Sequence, residues 1–223
     1  MDLYWDELPI HVIDFEGGPR CGIVEFGVVT MKGADVLDCS TRLCRPQAPI
    51  TRAEKAIHGI KTEAADEGDP FQDEWERFAR YREKGPLAAH FASAENTMIK
   101  SAFPFARKSP DWTRRGGIVN TWGPWIDTGQ LYRDIGDADR SLKLEDLIDR
   151  YSLQGELDEL AGRYCPMTRC GYHCALYDAL ASALLLALYC TQLSDERPTL
   201  RSLLIHSQGS ARKRQQVEQQ ELF

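Results

Sequence analysis

Two carboxylates at the end of an apolar run, Asp14 and Glu16 in His11-Val-Ile-Asp-Phe-Glu-Gly-Gly18, are the residues of this chain best placed to do chemistry. An extended strand alternates faces with a period of two, so both point the same way. Ionised carboxylates on one face repel each other and resist desolvation, and a cation between them removes both costs. The pair therefore reads as half of a site for a hard metal ion, which prefers carboxylate oxygens. Three other local patterns hold candidate partners: His90-Phe-Ala-Ser-Ala-Glu95 after the apolar run Leu87–Phe91, Trp125-Ile-Asp127-Thr128, and His173-Cys-Ala-Leu-Tyr-Asp178. Asp127 is read as a turn or cap residue, because a short carboxylate bonds nearby backbone amides. His90 is read as support for a strand end. A competing metal reading uses Cys165, Cys170, His173 and Cys174, three thiols and an imidazole within ten residues, which could take Zn²⁺. Their spacing is uncommon for zinc, and that reading leaves Asp14, Glu16 and Asp178 unexplained.

The elements that must carry these groups follow from periodicity and breakers. Apolar, β-branched segments Ile10–Phe15, Gly22–Met31 and Val36–Arg45, separated by Gly-rich turns, predict an antiparallel meander. Helices are expected over Thr51–Ile57, Phe71–Lys84 and Ala94–Phe103, with a buried strand at Leu87–Phe91 and another at Trp125–Asp127. Helices should follow over Gly129–Arg133, Leu142–Tyr151, Glu156–Tyr164, Tyr172–Gln192 and Pro198–His206. This order predicts an α/β fold, a mixed five-stranded sheet flanked by helices. Residues 1–206 would form one domain, interrupted by an irregular excursion over about residues 104–124 and followed by a polar tail over 207–223. The excursion mixes basic residues, Arg114 and Arg115 among them, with Trp112 and Trp122. Basic groups tracking phosphates and aromatics stacking on bases would suit a single strand; equally, the tryptophans could simply pack the loop onto the domain.

Length and composition are those of an ordinary globular protein: 223 residues, 27% charged, formal net charge −7. The acidic balance argues against a protein that coats DNA through a general basic surface. It is compatible with an acidic site whose positive charge comes from metal ions. The N-terminus lacks the basic start and apolar stretch of a signal peptide, and the most apolar run, Ala179–Cys190, reads as a buried helix rather than a membrane span. Seven cysteines with no such signal point to reduced thiols and a cytoplasmic protein.

Taken together, these motifs resemble the DEDDh exonucleases, the DnaQ-like group that includes the proofreading subunit of bacterial replicative polymerases. The resemblance runs from about His11 to about Leu193. Asp14 and Glu16 match the Asp-x-Glu of the first motif, His90–Ile99 the second, and His173 with Asp178 the His-x4-Asp of the third; Ile57-His58-Gly59-Ile60 and Asp127-Thr128 match recurrent landmarks. Glu95 stands where the family usually has Asp, Phe91 where it usually has Asn, and Gly17 where many relatives have Thr or Ser. The resemblance implies an RNase H-like fold and a metal-dependent 3′→5′ exonuclease acting on DNA, single-stranded 3′ ends preferred. It also implies two Mg²⁺ or Mn²⁺ ions. Asp14 would bridge both, Glu16 and Asp178 would complete the ligands of the first ion, Glu95 would serve the second ion, and His173 would be the general base. Candidate substrate contacts are Phe15, Gly17, His58, Ile60, Phe91, Arg114 and Arg115. Two alternatives remain: an RNA-trimming relative, and a catalytically weakened nucleic-acid-binding accessory protein. The final Gln219-Gln-Glu-Leu222-Phe223 resembles the bacterial sliding-clamp-binding peptide, with Gln219, Leu222 and Phe223 as its contacts.

The five-residue step from His173 to Asp178 rotates the two side chains apart on a helix. Asp178 is therefore expected inside a helix, with His173 at or just before its first turn.

Overall fold

The computed structural model describes residues 3–114, 116–135 and 140–209. Arg115 and the proposed clamp contacts Gln219, Leu222 and Phe223 lie outside the described residues.

The meander forms as its apolar runs predict: β1 (Ile10–Gly18), β2 (Gly22–Lys32) and β3 (Asp35–Leu43) pair antiparallel. At the first turn Gly17 adopts φ +145 beside a bulge, and a Cβ there would lie 2.0 Å from the Gly22 carbonyl oxygen, so glycine is required. The chain then makes α1 (Arg52–His58), closed at its start by a Thr51/Glu54 capping box and at its end by Gly59 in the left-handed region. A short helix α2 (Thr62–Asp66), not expected from periodicity, follows. After a 3₁₀ turn at Phe71–Glu74 come α3 (Trp75–Lys84), β4 (Leu87–Ala89) and α4 (Ser93–Ala102). Within the excursion, Ser109–Pro110 (β5) and Ile118–Val119 (β6) pair as a small antiparallel ribbon. β7 (Trp125–Asp127) leads into α5 (Thr128–Asp134), and α6 (Leu144–Arg150), α7 (Gln154–Tyr164), α8 (Ala175–Leu188) and α9 (Leu200–His206) complete the chain. The main sheet has the order β3-β2-β1-β4-β7, with β4 parallel to both neighbours. It is the expected mixed five-stranded sheet.

Alternation along β1 divides the core. Ile13 and Phe15 face an aromatic cluster with Phe26, Phe71, Phe78, Phe103, Trp122 and Trp125. Ile10 and Val12 face the larger cluster built on Leu176, Leu180 and other residues of α8. Asp14 and Glu16 continue this second face. α8 can lie there because β2 carries Gly27, the partner of Asp14: a Cβ at Gly27 would be 2.3 Å from the backbone of Ala175 and Leu176.

One expectation is corrected. The helix expected from Tyr172 starts at Ala175, because His173 has φ +62, a conformation that cannot continue a right-handed helix. The helix then continues through a π turn at Tyr189–Leu193. The whole span Ala175–Leu193 is long and apolar enough to cross a bilayer, but 67% of its most apolar window is buried against the rest of the protein. The irregular excursion is anchored to the domain: the buried guanidinium of Arg82 donates to the carbonyls of Trp122 (3.1 Å), Pro110 and Gly123 (both 3.0 Å). Trp122 and Trp125 are core residues, and burial of these two rings supports packing over base stacking. Ser207, at the expected start of the polar tail, is buried and accepts the Asp127 amide at 2.8 Å.

Candidate active site

Four carboxylates meet where the parallel strands β1 and β4 end. Asp14 and Glu16 come from β1, Asp178 from the first turn of α8 and Glu95 from the first turn of α4. Glu16, Glu95 and Asp178 are 8%, 6% and 8% exposed, too little for water to solvate three charges. Burial is the main cause that pushes Glu16 up to about 8, Glu95 up to about 8 and Asp178 up to about 7. Asp14, half-buried, is raised well above the usual carboxylate range by desolvation and then by the charges of Asp178, Glu95 and Glu16. Oε2 of Glu95 and Oδ1 of Asp178 are buried with no hydrogen-bond partner. Buried acceptors are normally satisfied. Hard oxygen donors, mutual repulsion and orphaned acceptors together fit a divalent cation.

Asp127 holds the second of these strand ends. Its carboxylate accepts the amides of Phe91, Ala92 and Gln130, all at 3.1 Å, and so caps α5 while fixing the β4–α4 junction that presents Glu95. His90 is structural as read: one ring nitrogen lies 2.7 Å from the Leu142 carbonyl and the other 2.9 Å from the Thr128 hydroxyl.

His173 sits two residues before α8, with an exposed ring. Ligand atoms of Glu16, His173 and Asp178 all lie within 4.8 Å of one another. Among the described residues no cysteine joins a group of that kind, so the zinc alternative finds no support; all seven cysteines are free thiols. Both backbone groups of His173 are held by charge. Its amide donates to Asp178 Oδ2 at 2.9 Å, and its carbonyl accepts from Arg169 Nη2 at 2.9 Å. Arg169 also donates to the His58 carbonyl (2.7 Å) and twice to Glu25 (3.0 and 2.5 Å), whose carboxylate takes the Ala175 amide at 3.1 Å. Glu25 is directly across the β1–β2 ladder from Glu16. Sequence reasoning missed Glu25 and Arg169. The available signal was a single charged residue in the apolar run Gly22–Met31, which must find a partner if buried.

The expected substrate contacts fall in different places. The Phe15 ring is on the opposite face from the carboxylates, packed on Phe71 and Phe78 at 5.4 and 5.6 Å. Gly17 follows Glu16 at the end of the strand. Buried His58 accepts the Ile60 amide on Nδ1 at 3.1 Å, which makes Nε2 the protonated nitrogen of the neutral ring; that nitrogen is buried without a partner. Ile60 is packed with Cys21, Val24, Ile50 and Ala65. Phe91 is half-buried at φ +56 between β4 and α4, with the Arg133 guanidinium 5.8 Å from its ring. Arg114 is ion-paired with Asp111 at 2.9 Å. It belongs to the excursion, which connects the far end of α4 to the start of β7, whereas the carboxylates stand where the parallel strands finish.

Residues 15–186 match the family model RNase_T, described as exonuclease. Among solved structures, exonuclease X in complex with 5′-overhanging duplex DNA is similar at 21% identity and a TM-score of 0.59, over 87% of this chain and 99% of that one. The nuclease domain of 3′hExo, a DEDDh family member bound to rAMP, is similar at 19% identity and a TM-score of 0.54, over 89% and 97%. Exonuclease I from Methylocaldum szegediense is similar at 16% identity and a TM-score of 0.63, over 94% of this chain but 45% of that one. These likenesses show a shared fold. Comparison with curated protein sequences gives no match.

Proposed function

We propose, because this chain belongs to the exonuclease family, that it is a metal-dependent 3′→5′ exonuclease of the DEDDh type releasing nucleotides from DNA, with single-stranded 3′ ends preferred. The observation that carries the reading is the crowding of Asp14, Glu16, Glu95 and Asp178 into one little-hydrated cluster with raised proton affinities and two orphaned oxygens. Asp14, Glu16 and Asp178 would hold one Mg²⁺ or Mn²⁺, and Asp14 with Glu95 a second. Such ions supply positive charge to the phosphoryl oxygens and to the attacking water, which a site made of carboxylates cannot do.

The protein's own groups have distinct roles in this reading. His173 presents an exposed imidazole beside Glu16 and Asp178 on a pinned backbone, placed to take a proton from an attacking water. Gly17 and the backbone of Phe15 flank Glu16 at the strand end and are the chain segment proposed to meet the sugar-phosphate. Phe91, half-buried beside Glu95's helix, offers a ring face to the terminal base.

The test uses end-labelled single-stranded DNA, duplex DNA and RNA with Mg²⁺, Mn²⁺ or chelator, beside Asp14→Ala. A ladder shortening from the 3′ end that needs both metal and Asp14 is expected, fastest on single-stranded DNA. Tight binding with no turnover in either metal would sink the enzymatic reading, and faster RNA degradation would replace the substrate.

A further inference from the structure

Glu25 and Arg169 form an ion pair beside the carboxylate cluster that the reaction above does not use, and from its geometry we infer that Arg169 is a positioning residue for His173. The inference rests on the assignment of His173 as the base.

His173 is not held by the regular hydrogen bonding of a helix or strand. It adopts φ +62, which an L-residue other than glycine takes only when its surroundings impose it. Two contacts do so. Asp178 accepts its amide, and Arg169 donates to its carbonyl. With Asp178 alone, the peptide after His173 would be held only by the Cys174 amide's bond to the Gly171 carbonyl (3.1 Å), a contact within the same loop, and the loop could shift as a unit and carry the ring away from Glu16. Arg169 closes that freedom from the other side.

The guanidinium suits this task because it meets three chain segments at once. Nε and Nη2 grip Glu25 of β2, Nη1 reaches the His58 carbonyl at the end of α1, and Nη2 also takes the His173 carbonyl. Glu25 in turn accepts the Ala175 amide that opens α8. The loop before His173 is thereby referenced to the strand that faces Glu16, to α1 and to the helix that carries Asp178. Only a planar fork with several donors can satisfy these directions together; a lysine ammonium could reach one or two. The charge is needed as well. Glu25 and Glu16 are directly opposed on one face, and like charges so placed destabilise a sheet unless one is neutralised. The side chain of Arg169 is 17% exposed and that of Glu25 3%, so the pair is protected from water and salt.

The experiment is a double-mutant cycle on the full-length chain with Arg169→Lys and His173→Ala, using an end-labelled single-stranded DNA with Mn²⁺. Arg169→Lys should lower kcat by about 10- to 100-fold, the scale of a misplaced catalytic group, with little change in KM or in the Mn²⁺-induced rise in melting temperature. In the His173→Ala background the same change should cost nothing further, because coupled residues are not additive. A full kcat in Arg169→Lys, or an equal loss with and without His173, overturns the inference. Lysine keeps a charge over Glu25 and so guards against unfolding. Amide hydrogen exchange at His173 gives a readout independent of turnover: it should be about 10-fold faster in Arg169→Lys, and unchanged exchange also overturns the inference. A wild-type chain without metal-dependent hydrolysis sinks the functional reading instead, and the exchange result still decides whether Arg169 holds His173.

Discussion

Glu95 shows how a one-methylene difference is absorbed at a site of this kind. Its helix cannot shift to suit a shorter side chain, because Asp127 fixes the amides of Phe91 and Ala92 just ahead of α4. The longer carboxylate therefore suits this backbone, and Glu95→Asp, although it restores the residue usual in the resembled family, should reduce the metal-dependent rate by about tenfold or more, since site geometry tolerates offsets of only about 0.5 Å. Glu95→Gln should reduce it further. Rates of the two variants at saturating Mn²⁺ check this order, and a Glu95→Asp enzyme faster than wild type would refute it. The same cluster sets a pH dependence. Glu16, Glu95 and Asp178 titrate near 8, 8 and 7 without metal, so a cation must displace protons to bind. Mn²⁺ affinity measured by calorimetry should rise steadily from pH 5.5 to pH 8, with proton release that shrinks over the same range. A flat profile would mean that the carboxylates are already ionised.

At the scale of elements, the site depends on how closely α8 approaches the meander. Gly27 permits that approach, and Asp178 is within reach of Asp14 and Glu16 because of it. Gly27→Val should push the start of α8 off β2. Overpacking of this sort costs about 1–3 kcal/mol in stability, measurable by urea unfolding, and the exonuclease rate should fall by more than the stability loss explains, because Asp178 and the Arg169-bound loop move with the helix. The excursion behaves differently. Arg82 ties it to the end of α3 through three carbonyls, at the end of the sheet away from the carboxylates. Arg82→Met should destabilise the fold by about 2–4 kcal/mol, as the loss of a buried hydrogen-bond network does, yet leave the rate per folded molecule close to wild type.

For the whole molecule, the cluster trades stability of the metal-free state for affinity. Folding raises the pKa values of these acids, so the folded apo-protein holds their protons more tightly than the unfolded chain. Their contribution to stability is fully present below about pH 4, the unfolded carboxylate range, and is lost as pH rises through 7 to 8. Metal binding replaces the lost protons, so the rise in melting temperature on adding Mn²⁺ should be small at pH 5.5 and largest near pH 8; thermal melts with and without chelator test this, and a larger rise at the lower pH would contradict it. Much of this arrangement is legible in the chain itself. Alternation along Ile10–Glu16 places both first carboxylates on one face, and the order of apolar runs and breakers gives the mixed sheet. These are local consequences of strand geometry and of where Gly and Pro fall. The Glu25–Arg169 pair, 144 positions apart, carries no periodic signal, whereas the five-residue step from His173 to Asp178 does point to the turn that delays the start of α8. Motif position puts Phe15 and Ile60 near substrate, while packing sends the ring of the one and the side chain of the other into the core. Residue order alone fixes which side chains stand at the ends of the strands. Which of them meet is settled by packing, because burial removes water and leaves each charge dependent on partners that the chain brings from far away.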